Sequence, residues 1–316
     1  MAVATRLLTW KPRRMSPEAR REAITFYLCI SPWLIGFIVF AAGPMIASLV
    51  LSFTKWDMLT PPEWIGLKNY IWMLTKDPDF WQSLKVTSVY TVFSVPLRLL
   101  TALFLAMLLN EATRGVGPFR TIFYLPSIVA SVAAAVLWTW ILNPRFGPVN
   151  GFLRLFGIKG PTWFSDPHWA LWGLVIMSTW GVGGEMLIFL AGLKSIPQHL
   201  YEAAEIDGAG AVARFFNITI PMLSPTIFFN FVMSLIGSFQ TFDSAYVIST
   251  ARAGTPGSPM RSTLFYMIHL YRNAFQWQNM GYATALAWVL FLIILVLALL
   301  TLRSSAFWVY YAGEKE

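Results

Sequence analysis

Three ionisable side chains, Arg98, Glu185 and Asp243, lie inside apolar runs long enough to enter a bilayer. A charge at the bilayer centre costs roughly 2.5–3.5 kcal/mol on insertion scales, so each calls for a partner or a function. Ser178, Gly181, Val182 and Glu185 stand at offsets 0, 3, 4 and 7, which on a continuous helix make one face. Gly237, Gln240, Thr241 and Ser244 repeat those offsets, with Phe239 and Asp243 beside them. The chemistry offered is recognition: hydroxyl, amide and carboxylate groups exchange hydrogen bonds with a hydroxyl-rich solute. Trp180 or Phe239 can cover the apolar face of a sugar ring. The alternative is structural, with small residues permitting close helix packing and Arg98 neutralising Glu185 or Asp243.

Reaction chemistry is not indicated. His168, His199 and His269 are far apart and lack ligand spacing, so no metal site is expected. The single cysteine, Cys29, excludes an internal disulfide and reads as a small packed side chain. No G-x-x-x-x-G-K-[ST] phosphate loop occurs, so no nucleotide cofactor is expected on this chain.

The elements that must position these residues are membrane helices. Of 316 residues, 57% are apolar and 12% charged, where a soluble domain carries roughly 25% charged residues. There is too little polar surface to cover a water-soluble globule. A net charge of +8 is then read as basic residues near membrane ends rather than as a nucleic-acid surface. Runs of roughly 20 apolar residues, enough to cross about 30 Å of hydrocarbon, lie near 27–52, 84–109, 119–142, 169–193, 222–248 and 280–302. The expected class is an all-α integral membrane protein with six spans. Gly43-Pro44 and Pro96 interrupt the first two, which is tolerated where neighbouring helices satisfy the freed carbonyls. Trp10, Trp56, Trp64, Trp72, Trp81 and Trp163 flank spans as interfacial anchors.

Alternate loops carry twelve and nine Lys and Arg residues. The basic arm containing Arg6, Lys11, Arg13, Arg14, Arg20 and Arg21 is the better guide, and it places both termini in the cytoplasm. The expected organisation is a basic arm over 1–23, a membrane domain over 24–302 and a cytoplasmic tail over 303–316, with a retained first span rather than a cleaved signal.

One cytoplasmic loop, 194–221, reads unlike its surroundings: Tyr201 to Pro221 is YEAAEIDGAGAVARFFNITIP. Ser195 is the expected N-cap of a short helix, with Pro197 in its first turn. Gly208 and Gly210 supply the turn. A second short helix is expected from Ala211 to Asn217, ending before Pro221 opens the next span. Phe215 and Phe216 exposed beside small alanines call for a covering partner.

Glu202-Ala203-Ala204, then Gly208, then nine residues, then Ile218-Thr219-Ile220-Pro221 resembles the EAA loop of bacterial ABC importer permeases, with Ile220 where leucine is usual. Further likeness to the carbohydrate-uptake branch runs from about 24 to 302. It includes Gly66-Leu67-Lys68-Asn69-Tyr70, Phe119-Arg120-Thr121 with Leu125-Pro126, Trp138-Thr139-Trp140, Gly147-Pro148-Val149-Asn150 and Leu190-Ala191-Gly192-Leu193.

The resemblance implies a type I importer permease fold, pairing with a second homologous permease subunit in the inner membrane. It implies two cytoplasmic ATPase subunits that hold ATP and magnesium, and an extracytoplasmic solute-binding protein. Glu202, Ala203, Ala204, Asp207, Gly208, Phe215 and Pro221 would form the ATPase-coupling element. The fourth and fifth spans would line a path for a sugar or oligosaccharide. A non-sugar solute such as glycerol phosphate or a polyamine is the alternative cargo. A self-contained secondary transporter would be expected to show more spans or clear repeats.

Overall fold

Two prolines set the course of the first helical run. Ser16 caps its start, accepting a hydrogen bond from the Ala19 amide at 3.2 Å, and Pro17 takes the first helical position. Helix α1 (Pro17–Phe37) passes through a π turn at Ile38–Ala42 into α2 (Gly43–Leu51). Pro44 has no N–H to give the ladder, and the wider turn just before it absorbs that loss. Gly43 fits there because a Cβ would stand 2.9 Å from the Ile38 carbonyl oxygen. The helix therefore starts ten residues before the apolar run, and Arg20 and Arg21 ride on its first turns. Cys29 is exposed on α1 rather than packed.

The computed structural model describes residues 16–111, 116–253 and 255–310. Trp10 and most of the basic arm and tail lie outside them. The chain divides into two units, 1–51 and 52–316.

The second unit opens with a short antiparallel pair, β1 (Thr54–Lys55) and β2 (Glu63–Trp64). Asn69, at the start of α3 (Lys68–Thr75), donates to the Ser52 and Thr54 carbonyls at 2.9 Å each and ties the pair down. Asp77 then caps α4 (Pro78–Glu111), accepting from the Asp79 and Phe80 amides. At 34 residues, α4 is about 50 Å long, and it is the central helix of the unit.

Helices α5 (Val116–Ile128) and α6 (Ser131–Ile141) meet at a 100° bend. After α7 (Pro148–Leu155) come α8 (Ala170–Ser178) and α9 (Gly183–Ser195), bent by 43°. The loop helices α10 (Gln198–Ile206) and α11 (Ala211–Arg214) lead through a π turn (Phe215–Thr219) into α12 (Ile220–Phe239) and α13 (Asp243–Ala253). Then α14 (Tyr266–Tyr271) precedes α15 (Met280–Trp308). Among the described residues, four runs are long and apolar enough to cross a membrane, and counting each bent pair as one span gives six.

Apolar clusters occupy both halves of the bundle. One gathers Tyr90, Trp163, Phe164, Leu174, Ile248 and Phe265. Another joins α4, α9 and α12, where Ala102 and Ala106, one turn apart, admit Met186, Phe189 and Leu223. In lipid such packing rests on close approach of small residues rather than on escape from water. Gly192 illustrates it: a Cβ there would meet Leu223 and Thr226 of α12 at 2.7 Å. Trp163 is buried in the first cluster, donating to Asn150 Oδ1 at 2.7 Å, and is no interfacial anchor. Trp64, Trp72 and Trp81 are exposed, as anchors should be.

Candidate functional site

Between the two clusters α4 turns polar. Tyr90 belongs to one cluster and Ala102 to the other, and Ser94 and Arg98 fall between them. Arg98 forms an ion pair with Glu185 in the first turn of α9 and donates to the Ser178 carbonyl at 3.3 Å. That carbonyl is free because α8 ends at Ser178, and Thr179–Val182 form a turn. The kink admits α5 closely: a Cβ on Gly183 would stand 2.7 Å from the Tyr124 Cα. Choosing between the two carboxylates, Arg98 takes Glu185. Asp243 instead accepts from Ser131 Oγ at 2.7 Å and heads α13, where the helix dipole favours a negative charge.

Two cavities flank Arg98. The first, about 450 Å³, is lined by Ser94, Glu185, Asn230, Ser234, Gly237 and neighbouring residues. The second, about 350 Å³, is lined by Ser178, Trp180, Gly181, Gln240, Asp243 and Ser244 among others. Tyr90, Arg98 and Thr241 border both. Trp180 meets Trp138 edge to face with ring centroids 6.4 Å apart, which leaves it a wall of the second cavity.

The two expected stripes are not continuous helical faces. The first is broken at Thr179–Val182 and the second at Gln240–Phe242. As a result Val182 is 1% exposed and packs in the α4–α9–α12 cluster, while Phe239, 5% exposed, packs against α15. Neither lines a cavity. The other nine expected path residues do, divided between the two hollows with Thr241 shared.

The lining also includes polar residues that the two stripes do not contain, among them Tyr90, Ser94, Asn230 and Ser234. A signal existed on α12, where Asn230, Ser234 and Gly237 keep helical spacing through an apolar run. Ser94 Oγ, Asn230 Nδ2 and Ser234 Oγ are buried without a hydrogen-bond partner among the described residues. An unsatisfied buried polar group costs roughly 1–3 kcal/mol, so three on residues lining one cavity call for an explanation.

At the loop the structure explains the spacing of EAA and glycine. Helix α10 ends in a Schellman motif: the Gly208 amide bonds the Glu205 carbonyl at 3.0 Å and the Ala209 amide bonds that of Ala204 at 2.8 Å. Gly208 has φ +79°, with open space where a Cβ would lie, so its backbone angle alone demands glycine. Gly210 has an ordinary φ of −66°. Pro197, not Ser195, stands at the N-cap of α10, while Ser195 closes α9 by bonding the Gly192 carbonyl at 2.7 Å.

The expected second short helix does not stop before Pro221. It runs into α12 through the π turn, which accommodates the amide hydrogen that Pro221 lacks. Glu202, Ala203 and Asp207 are exposed, and Ala204, Phe215 and Pro221 half-buried. Ile206, Val212 and Phe216 are 87%, 71% and 62% exposed, an apolar surface on an otherwise polar loop.

A third polar group lies at the far end of α4 from the loop. The Asp77 carboxylate receives His269 Nε2 at 2.9 Å and the Tyr282 hydroxyl at 2.5 Å. Burial alone would raise this carboxyl, but those two hydrogen bonds and the charge of His269 hold it at about 2. His269 is thus a buried structural partner.

Residues 99–310 match the family described as the binding-protein-dependent transport system inner membrane component. The chain is 47% identical over 305 residues to the probable ABC transporter permease protein YesP of Bacillus subtilis (strain 168), covering 96% of this chain and 97% of that protein. It is 36% identical over 280 residues to the lactose transport system permease protein LacF of Rhizobium radiobacter, with coverage of 87% and 91%. A bacterial alginate ABC transporter, solved in complex with an alginate pentasaccharide-bound periplasmic protein, contains a chain that superposes with a TM-score of 0.77. The identity is 23%, and 91% of this chain and 96% of that one are covered.

Proposed function

The chain belongs to the inner-membrane components of binding-protein-dependent transport systems, and from that premise we propose that it is one half of the permease of an ATP-driven carbohydrate importer. Its partners in this reading are a second homologous permease subunit, two cytoplasmic ATPases and an extracytoplasmic solute-binding protein. Both termini face the cytoplasm. The cavities beside Arg98 carry a sugar or oligosaccharide by alternating access, and the loop from Gln198 to Pro221 receives the movement of the ATPases.

The observation that carries the carbohydrate reading is the set of unpaired polar atoms of Ser94, Asn230 and Ser234 around one cavity. A neutral polyhydroxylated solute brings a donor and an acceptor on every hydroxyl and can satisfy all three. The ion pair supports it too: with Arg98 and Glu185 neutralising each other, the first cavity holds no unbalanced charge to select glycerol phosphate or a polyamine. The lactose transport named for one relative agrees. For the loop, the exposed Ile206, Val212 and Phe216 supply an apolar docking surface.

In proteoliposomes holding the assembled transporter and its binding protein, a panel of mono- and oligosaccharides, glycerol phosphate and polyamines is to be tested for stimulation of ATP hydrolysis and for uptake. Carbohydrate stimulation, weakened in Asn230→Leu, is expected. Stimulation by glycerol phosphate or a polyamine alone contradicts the carbohydrate reading.

A further inference from the structure

Helix α10 is held to the bundle by few groups. Glu202, Ala203 and Ile206 are exposed. Inward, Leu200 and Tyr201 pack at the edge of the α4–α9–α12 cluster, and the Tyr201 hydroxyl lies 2.9 Å from Thr219 Oγ1. Thr219 is buried and ends the π turn from which α12 continues. Arg214–Glu205, the other side-chain bridge within this loop among the described residues, spans 3.5 Å with Glu205 exposed. A cavity of about 330 Å³, walled by Asn110, Glu111, Arg214, Tyr201 and Thr219 among others, opens beside the tyrosine–threonine contact. Close packing therefore does not join α10 to the base of α12 on that side.

We propose that Tyr201 is a positioning residue that carries displacement of α10 directly into α12 through Thr219. The inference rests on the coupling reading of this loop. Along the chain, α10 reaches α12 only around Gly208, whose surroundings are open, so a push on α10 would be spent in bending that turn. The hydroxyl contact bypasses it. Thr219 also sits two residues before Pro221, where the ladder lacks an N–H and the turn is already widened. Such a turn can shift register at less cost than a regular helix. The same helix carries Asn230, Ser234 and Gly237 into the first cavity, starting about 16 Å further along its axis. Movement applied at Thr219 thus reaches the lining of the path.

The test uses the assembled transporter in proteoliposomes, scored as solute transported per ATP hydrolysed. Tyr201→Phe and Thr219→Val are each expected to lower that ratio about fivefold, the scale of one lost neutral hydrogen bond, with the ATPases still co-purifying. The double variant should match either single, the mark of one shared contact, and Thr219→Ser should retain the ratio of the unaltered protein. Losses that multiply, or an unchanged ratio in both singles, overturn the proposal. If Tyr201→Phe does not assemble, Thr219→Val against Thr219→Ser decides on the same criterion. Gly208→Asp separates the two levels. Intact coupling in that variant defeats the coupling reading of the loop itself, whereas a Gly208→Asp defect beside a silent Tyr201→Phe removes only the tie.

Discussion

The loop at Gln198–Pro221 and the polar centre around Arg98 are built by opposite means. The loop is local: a helix, a Schellman turn that requires Gly208 and a π turn ahead of Pro221 all lie within about one stretch of chain. The centre is assembled from α4, α5, α6, α9 and α12 and from the broken ends of α8 and α13. A local device exposes its surface and leaves the core undisturbed, so damage there should cost coupling more than folding. A nonlocal one holds a half-buried ion pair and unpaired polar atoms, so damage there should strike folding or selectivity.

The largest expected effect is at the ion pair. Arg98→Leu leaves Glu185 unpartnered; with side chains 28% and 17% exposed, the loss falls below the roughly 3–5 kcal/mol of a fully buried pair. Thermal unfolding in detergent should show a marked loss that the double variant Arg98→Leu/Glu185→Leu largely restores. Equal stability of single and double variants would remove the contrast between centre and loop. Gly208→Asp should come next: it forces a side chain into φ +79°, costing roughly 1–2 kcal/mol locally, and should reduce transport at least tenfold while the unfolding midpoint of the permease moves little.

A smaller effect is expected from Asn230→Leu. It removes an already unpaired donor, so stability should hold or rise, while the solute concentration for half-maximal ATPase stimulation increases about tenfold, as for one lost ligand hydrogen bond to a buried group. An unchanged half-maximal concentration would return Asn230 to a packing role. The smallest is a pH effect. The Asp77 carboxyl sits at about 2, below its ordinary 3.8. The stability it contributes is complete above about pH 4 and is lost as pH falls through about 2. Asp77→Asn should therefore remove the loss of stability between about pH 4 and pH 2, which chemical denaturation at both pH values can check.

Legibility in the sequence followed the same division. The loop could be read from residue spacing because the turn that ends a helix fixes a glycine at one set position, Gly208, four residues after Ala204. Six apolar runs were visible because the bilayer imposes length and composition. The breaks within them were harder to see. Val182 shares a face with lining residues, and Phe239 stands beside such a face, only if α8–α9 and α12–α13 are continuous helices, which they are not. Nothing in Thr179–Val182 is proline, and the kink arises where α5 crosses Gly183, a tertiary cause. Ser94 is illegible for a related reason, since what sets it apart is lining one cavity together with Asn230 of another helix and not its neighbours on α4.

The central claim is that the cavity bordered by Ser94, Asn230 and Ser234 is a hydrated carbohydrate path. With Cys29 the only cysteine of this chain, Cys29→Ser provides a background in which Gly237→Cys, at an exposed position lining the same cavity with open space for a side chain, can be labelled by a small water-soluble thiol reagent in the assembled transporter. The account predicts labelling that is slowed several-fold when binding protein, ATP and the transported saccharide are all present. Absence of labelling, or a rate indifferent to the saccharide, would contradict it.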